Sequence, residues 1–296
     1  MNPISSDWNT AANWTPPTVP NASHDIATFS LSNQTSVSIS ANIRVDSMVF
    51  DPDASAYAFM LGESLHVLGR AGIMNNSGHL QNFVNTASCD VGFPGGIYFH
   101  GNASAGSQTQ FTNDGGHGEL GSGFVIFFGN SIAGEAVFVN EPACEAGFLQ
   151  GGIVVFDDNA SAGSAIFINE GGAVSGGGGG SMTFSFTAKA GNANITVHGG
   201  AVPGAIGSQV NFLTDSTAGS ATFFAEGGQA EDALGGVILF GGTSLDSAEN
   251  ANFTINGSTP GALSEATFSS TKSQTSATQS ASLMAERTVD RAVSLS

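Results

Sequence analysis

The chain has 296 residues, 24 acidic and six basic side chains and a net charge of −18, with 41 glycines and 22 phenylalanines against two tyrosines and two tryptophans. Phosphate binding needs clustered Lys and Arg, so this balance excludes nucleic acid as a partner, and acidic polymers and anionic membrane surfaces are repelled. Hydrophobic residues make up 41% of the chain, enough to build a core, and no window is apolar over the roughly 18 residues that a transmembrane helix needs.

In chain order, the first segment is the stretch from Trp8 to Phe29, which holds both tryptophans and three of the nine prolines. Residues 1–30 are expected to form an N-terminal Trp/Pro-rich cap that closes the open end of a sheet against edge pairing. The start has neither a basic n-region nor an apolar h-region, so no secretory signal is expected in it. From Phe50, "FDPDASAYAF" reads as an early, diverged copy of the units that begin at Phe99.

From Phe99 the chain repeats itself. Phe99, Phe127, Phe156, Phe184, Phe212 and Phe240 are spaced by 28, 29, 28, 28 and 28 residues, and a glycine follows each of the first five after seven residues. A second column runs through Phe111, Phe138, Phe167, Ile195, Phe223 and Phe253. A period near 28 in Phe, Val, Ile, Thr and Gly, with no 3.6-residue pattern inside it, predicts an all-β chain. The expected fold is a parallel β-helix, or β-solenoid, with coils of about 28 residues over residues 31–262. Its two Phe columns become internal ladders, and the Ala and Gly of "ASAG" line a tight corner. Asn102, Asn130 and Asn159 form a third column, expected to hydrogen-bond along the stack. Residues 263–296 turn to Ser, Thr, Ala and Gln. They are expected to be a tail or cap, with either a short helix over residues 281–295 covering the last coil or a disordered tail.

The Trp8 to Trp14 spacing, the Pro-rich stretch after it, "FDPDASAYAF" and the tandem "NASAGxAxFxNxGG" units resemble the autotransporter-associated β-strand repeat proteins of bacterial surfaces. The resemblance covers roughly residues 7–258. It implies a passenger-like β-helix at the cell surface or secreted, acting as scaffold or adhesin, with a glycan or protein of a host or neighbouring cell as partner. The C-terminal segment departs from it, having no pattern of membrane-barrel strands.

Chemistry-bearing motifs are sparse. Gly116, His117 and Gly118 match a Gly-His-Gly element of polygalacturonase-like hydrolases, and Asp157 with Asp158 offers a carboxylate pair, but the order is inverted and the outer elements are missing. Glycosidic cleavage needs two carboxylates roughly 5 to 9.5 Å apart across a cleft. Adjacent acids in a strand point to opposite faces instead. Lys189 is the single base between residues 71 and 271, a poor start for lyase chemistry. No nucleophile elbow is present, and the run Gly176 to Gly180 lacks the Lys of a phosphate loop, so it is expected at a turn that needs positive φ.

Cys89 and Cys144 lie 55 residues apart, nearly two coils. That places them about 10 Å apart, too far for a disulfide, and they are expected as small buried residues. The sequence thus predicts a non-enzymatic β-solenoid with no catalytic residue, cofactor or metal site. The alternative is a carbohydrate-active β-helix enzyme, a polysaccharide lyase or hydrolase.

Overall fold

Runs of four residues that alternate between core and surface, such as Ile153–Phe156 and Ile166–Asn169, set the architecture. Each is too short to be stable alone and finds its partner one repeat away, where the same pattern recurs. The computed structural model describes residues 3–87, 94–116, 121–241 and 248–270.

One nine-stranded sheet contains β2 (Ser36–Ile39), β5 (Ala58–Leu61), β8 (Gln81–Asn85), β10 (Thr109–Asn113), β12 (Val137–Asn140), β14 (Ile166–Asn169), β16 (Asn194–Val197), β18 (Thr222–Ala225) and β20 (Asn252–Ile255), in that spatial order. A second nine-stranded sheet runs from β3 (Ile43–Val45) through β6 (Ser64–Val67), β9 (Gly96–Phe99), β11 (Phe124–Phe127), β13 (Ile153–Phe156), β15 (Ser181–Phe184), β17 (Gln209–Phe212) and β19 (Val237–Phe240) to β21 (Thr267–Ser270). All pairings are parallel and in register, Phe138 on Phe167 and Phe127 on Phe156 among them. The fold is therefore the expected parallel β-solenoid.

The two Phe columns are its internal ladders. Ring centroids step along the first at 4.8 Å (Phe99 to Phe127), 4.6 Å (Phe127 to Phe156) and 5.0 Å (Phe156 to Phe184), with planes within 10° of parallel. Between the columns the rings meet edge to face, as Phe127 does Phe138 at 73°. Both are favoured aromatic geometries, and burial of each ring adds roughly 1.5–3 kcal/mol.

A third, short sheet joins β1 (Ile26–Phe29), β4 (Ser47–Phe50) and β7 (Ile73–Asn75). Phe50 belongs to this face, not to the first Phe column, whose places in the early coils are taken by Val45 and Val67. Beyond β7 the third face narrows to a line of single bridges, Ser104 to Ile132 to Ser161 to Lys189 to Thr217. These lie in the "ASAG" corner, with Ala160 and Ala162 buried beside Ser161. Gly163 has φ +64°, and a Cβ on it would lie 2.9 Å from the carbonyl oxygen of Gly134, so the stacked corners leave no room for one.

The first sheet and the second are joined by two or three residues in the first coils and by about ten or more later. The later connections stack on one another as a fin, bonded through pairs such as Gly172 N–H to Ile206 O and Gly200 N–H to Leu234 O, both 2.8 Å. The glycine run lies here, and it corrects the turn expectation: of Gly176 to Gly180 only Gly176 has positive φ. The others are needed for close approach, since a Cβ on Gly178 would stand 2.0 Å from Leu149 O and one on Gly180 2.4 Å from Asn140 O.

At the N-terminal end Trp8 is buried over Phe29 and Phe59, at centroid distances of 5.6 and 6.5 Å. Trp14 packs on Trp8 edge to face, and the indole N–H groups donate to Pro20 O and Trp8 O. β1 lies before residue 30 yet pairs with β4, and β21 lies after residue 263 yet pairs with β19. The solenoid thus reaches a few residues past both expected boundaries. The proposed helix over residues 281–295 is outside the described residues.

Candidate functional site

In the first sheet, residues alternate inward and outward along each strand, and the register keeps each row straight from strand to strand. One inward row ends each of four strands with asparagine. Asn85 Nδ2 donates to Asn113 Oδ1 (2.6 Å), Asn113 to Asn140 (2.7 Å) and Asn140 to Asn169 (2.7 Å), all four side chains being fully buried. Asn169 Nδ2 ends the series on Thr196 O at 3.2 Å, while Asn85 Oδ1 has no partner.

This is the asparagine ladder, on residues that the repeat pattern does not single out. The expected column of Asn102, Asn130 and Asn159 is exposed in the turns, where Asn159 Oδ1 accepts from Thr187 Oγ1. A turn is solvated, so its amides do not need one another; a strand end inside the core has no water to turn to.

The residue after this inward row points outward; behind Asn85 it is Thr86, and from β10 to β18 it forms a margin of Asp114, Glu141, Glu170, His198 and Glu226, all half-buried. Their backbone amides continue the parallel bonding, Glu141 N–H to Asn113 O at 2.9 Å and Glu170 N–H to Asn140 O at 3.0 Å. Burial raises the Asp114 carboxyl above its ordinary range, opposed by a backbone hydrogen bond from Ala87. Burial raises Glu141 too, and the neighbouring charges of Glu170 and Asp114 push it further. His198 Nδ1 donates to Glu226 Oε2 at 2.7 Å.

Beside this margin lie the outward positions of the nine strands, two in each. None of these eighteen is Asp, Glu, Lys, Arg or His. Ser, Asn, Gln and Thr predominate towards both ends, with an aliphatic band of Val137, Val139, Ile166 and Ile168 in the middle. Two uncharged rows therefore run along the length of the solenoid, with the acidic margin beside them from β10 to β18.

The outward side of the second sheet differs only at its first strands; from β9 to β21 its outward positions are likewise without Asp, Glu, Lys, Arg or His. Arg44, His66 and Tyr98 follow one another in register, and His66 stacks on Tyr98 at 4.5 Å while its Nδ1 lies 3.0 Å from His100 Nε2, one ring donating to the other. Burial, then the charges of His100 and Arg44, lower the His66 pKa to about 4. His100 is lowered by burial and by Arg44. His66 thus meets Tyr98 face to face and His100 through the ring edges.

Asp157 and Asp158 do not stand in a strand; they start the turn after β13. Asp158 has φ +54°, and its Oδ2 accepts from Gly129 N–H at 2.9 Å, so this carboxylate holds the turn of the preceding coil. His117 and Gly118 are outside the described residues. Lys189 lies on the third face, in the line of single bridges and not in the acid margin.

The cysteine expectation is overturned. Cys144 is exposed, not buried, and disulfide-bonded; the chain has one other cysteine, Cys89, which lies outside the described residues. A separation of 10 Å holds only if both thiols keep the rise of the coils, and Cys144 stands in a connection outside the stacked strands, where that rise does not bind.

Among the described residues no group of three or more His, Cys, Asp or Glu could hold a metal ion, and no helix is long and apolar enough to cross a membrane. A cavity of about 820 Å³ opens beside the N-terminal cap, against Trp14, Val19, His24, Thr28 and Tyr57, away from the acid margin. No family model matches the chain, and neither a curated protein nor a solved structure matches it.

Proposed function

We propose that the protein is a non-enzymatic β-solenoid of the cell surface or the secreted space, an autotransporter-like passenger that serves as scaffold or adhesin. The observation that carries the reading is the outer face of the first sheet, eighteen outward strand positions without a charged side chain on a chain of net charge −18. A chain this poor in charge that keeps its charges off one long face has that face available for contact. The Cys144 disulfide supports the location, because such bonds persist in oxidising compartments and are rare in the cytosol.

The test is alkylation of the protein isolated from its own cells under acid quench, without reductant. No thiol should react with maleimide, and surface protease should reach the solenoid in intact cells. Quantitative labelling together with full protection in intact cells would sink the reading.

The acid margin favours a second reading, a glycoside-cleaving β-helix. Asp114 and Glu141 hold their protons longer than ordinary carboxyls and sit one coil apart, about 4.8 Å along the stack. Against it, the cavity at the cap does not include them. Release of reducing ends from a polysaccharide, lost in Glu141→Gln, would establish this reading instead.

A further inference from the structure

We infer that the outer face of the first sheet binds an uncharged β-linked polysaccharide laid along the solenoid axis, with the acid margin accepting hydrogen bonds from its hydroxyl groups. This rests on the adhesin reading above and names its ligand class.

Three features of the face select that partner. Its rows are straight, because every pairing from β5 to β20 keeps one register. Rungs recur about every 4.8 Å, close to the length of one residue in an extended sugar chain, so rungs and sugars run nearly in step. The rows offer amides and hydroxyls, Asn82, Gln110, Asn194 and Thr222 among them, around the aliphatic band at Val137 and Ile166. A pyranose ring has the matching make-up, an apolar face of C–H groups and an equatorial fringe of hydroxyls.

Charge decides between candidates. A polyanion would meet Asp114, Glu141, Glu170 and Glu226 over the middle of the face, from β10 to β18, and be repelled there. A nucleic acid fails for the same reason. A second copy of the chain would bring two charges of −18 together and set its own fin and acid margins against those of its partner. An uncharged polysaccharide pays neither cost. Its hydroxyls can donate to carboxylates, which are among the stronger acceptors a protein can offer.

The experiment is depletion of the full chain from solution by microcrystalline cellulose and by chitin, with immobilised polygalacturonate in chelator as the anionic control. Binding to at least one neutral polymer and none to polygalacturonate is expected. Ile166→Glu and Asn194→Glu, both at exposed positions of the face, should each weaken binding about tenfold, equivalent to ~1.4 kcal/mol. Gln209→Glu, the same change on the exposed side of the second sheet, should leave it unchanged. Thermal melts establish that all three variants fold.

Equal binding to polygalacturonate, or loss in Gln209→Glu with retention in the other two, overturns the inference. So does a concentration-dependent dimer in sedimentation that Ile166→Glu abolishes while neither polymer is bound, which would assign the face to a second copy. Failure here leaves the thiol and protease test of the adhesin reading untouched. Release of reducing ends during depletion would instead overturn the non-enzymatic reading and leave the binding face in place.

Discussion

Replacing Asn140 by valine should cost more than replacing the whole asparagine ladder. Asn140 accepts from Asn113 and donates to Asn169, each at 2.7 Å, with no solvent exposure. In Asn140→Val the Asn113 amide keeps its bond to Ile153 O at 3.2 Å, but Asn169 Oδ1 is left in the core without its donor. An orphaned buried acceptor costs ~1–3 kcal/mol and each lost bond ~1 kcal/mol, giving a single-site loss of ~2–4 kcal/mol.

Changing Asn85, Asn113, Asn140 and Asn169 together to valine orphans nothing and removes the unpartnered oxygen already present on Asn85. The chain itself uses the apolar solution at the same register, with Leu61 before the ladder and Val197 and Ala225 after it, all buried. The quadruple variant is therefore expected within ~1–2 kcal/mol of the parent, below the single one. Urea unfolding followed by circular dichroism, with equal slopes, measures both; hydrogen exchange at β12 and β14 checks that the loss is local. Losses that add, so that the quadruple variant falls far below Asn140→Val, would refute the reasoning.

Three further outcomes are expected. Glu141 holds its proton above the ordinary range, so the folded chain binds it more tightly than the unfolded one, and stability declines as pH rises through the ordinary carboxyl value towards the folded one. Glu141→Gln should then raise the melting temperature at pH 7 and make no difference near pH 3; a lower melting temperature at pH 7 would contradict the cause assigned. His66 has the opposite sign: with its pKa lowered to about 4 from 6.5, its contribution is present above pH 6.5 and lost as pH falls towards 4. His66→Phe should flatten that part of the stability profile, and an NMR titration of His66 with an ordinary midpoint would exclude the effect. Trp8→Ala should cost ~3–5 kcal/mol, since the ring is buried on Trp14, Phe29 and Phe59. A loss under ~1 kcal/mol would mean that the cap does not close the core.

The parts of the fold that are legible in the sequence are those in which identical residues fall on identical places. The Phe columns and the "ASAG" corner recur at a fixed interval, and stacking makes that interval a distance. The asparagine ladder is equally present as letters, two residues after the second column at Phe83, Phe111, Phe138 and Phe167. It is hidden because Asn102, Asn130 and Asn159 sit in the more conspicuous run, and only the strand boundary separates a buried amide from a solvated one.

The acid margin comes one residue after the ladder and is hidden with it. Neither the third face at β1, β4 and β7 nor the shorter first coils share the later period, so self-comparison finds there only the echo from Phe50 and does not show that Phe50 belongs to another face. The disulfide at Cys144 escapes because coil arithmetic holds for strands and not for the connections between them.

The crowded glycines of the fin restrict how such a solenoid can lengthen. A Cβ on Gly171 would stand 1.8 Å from Gly199 O, and one on Gly199 2.1 Å from Gly227 O, so each connection is moulded to the next. A coil copied in whole, with its own glycine pair, finds a ready seat between two others of its kind. A coil borrowed from the three-sided start does not, because its short connection leaves the neighbouring fin without support. Duplication can therefore extend the array from within its regular part but not from its beginning, and a gene that has grown this way should carry its most alike neighbours in the middle.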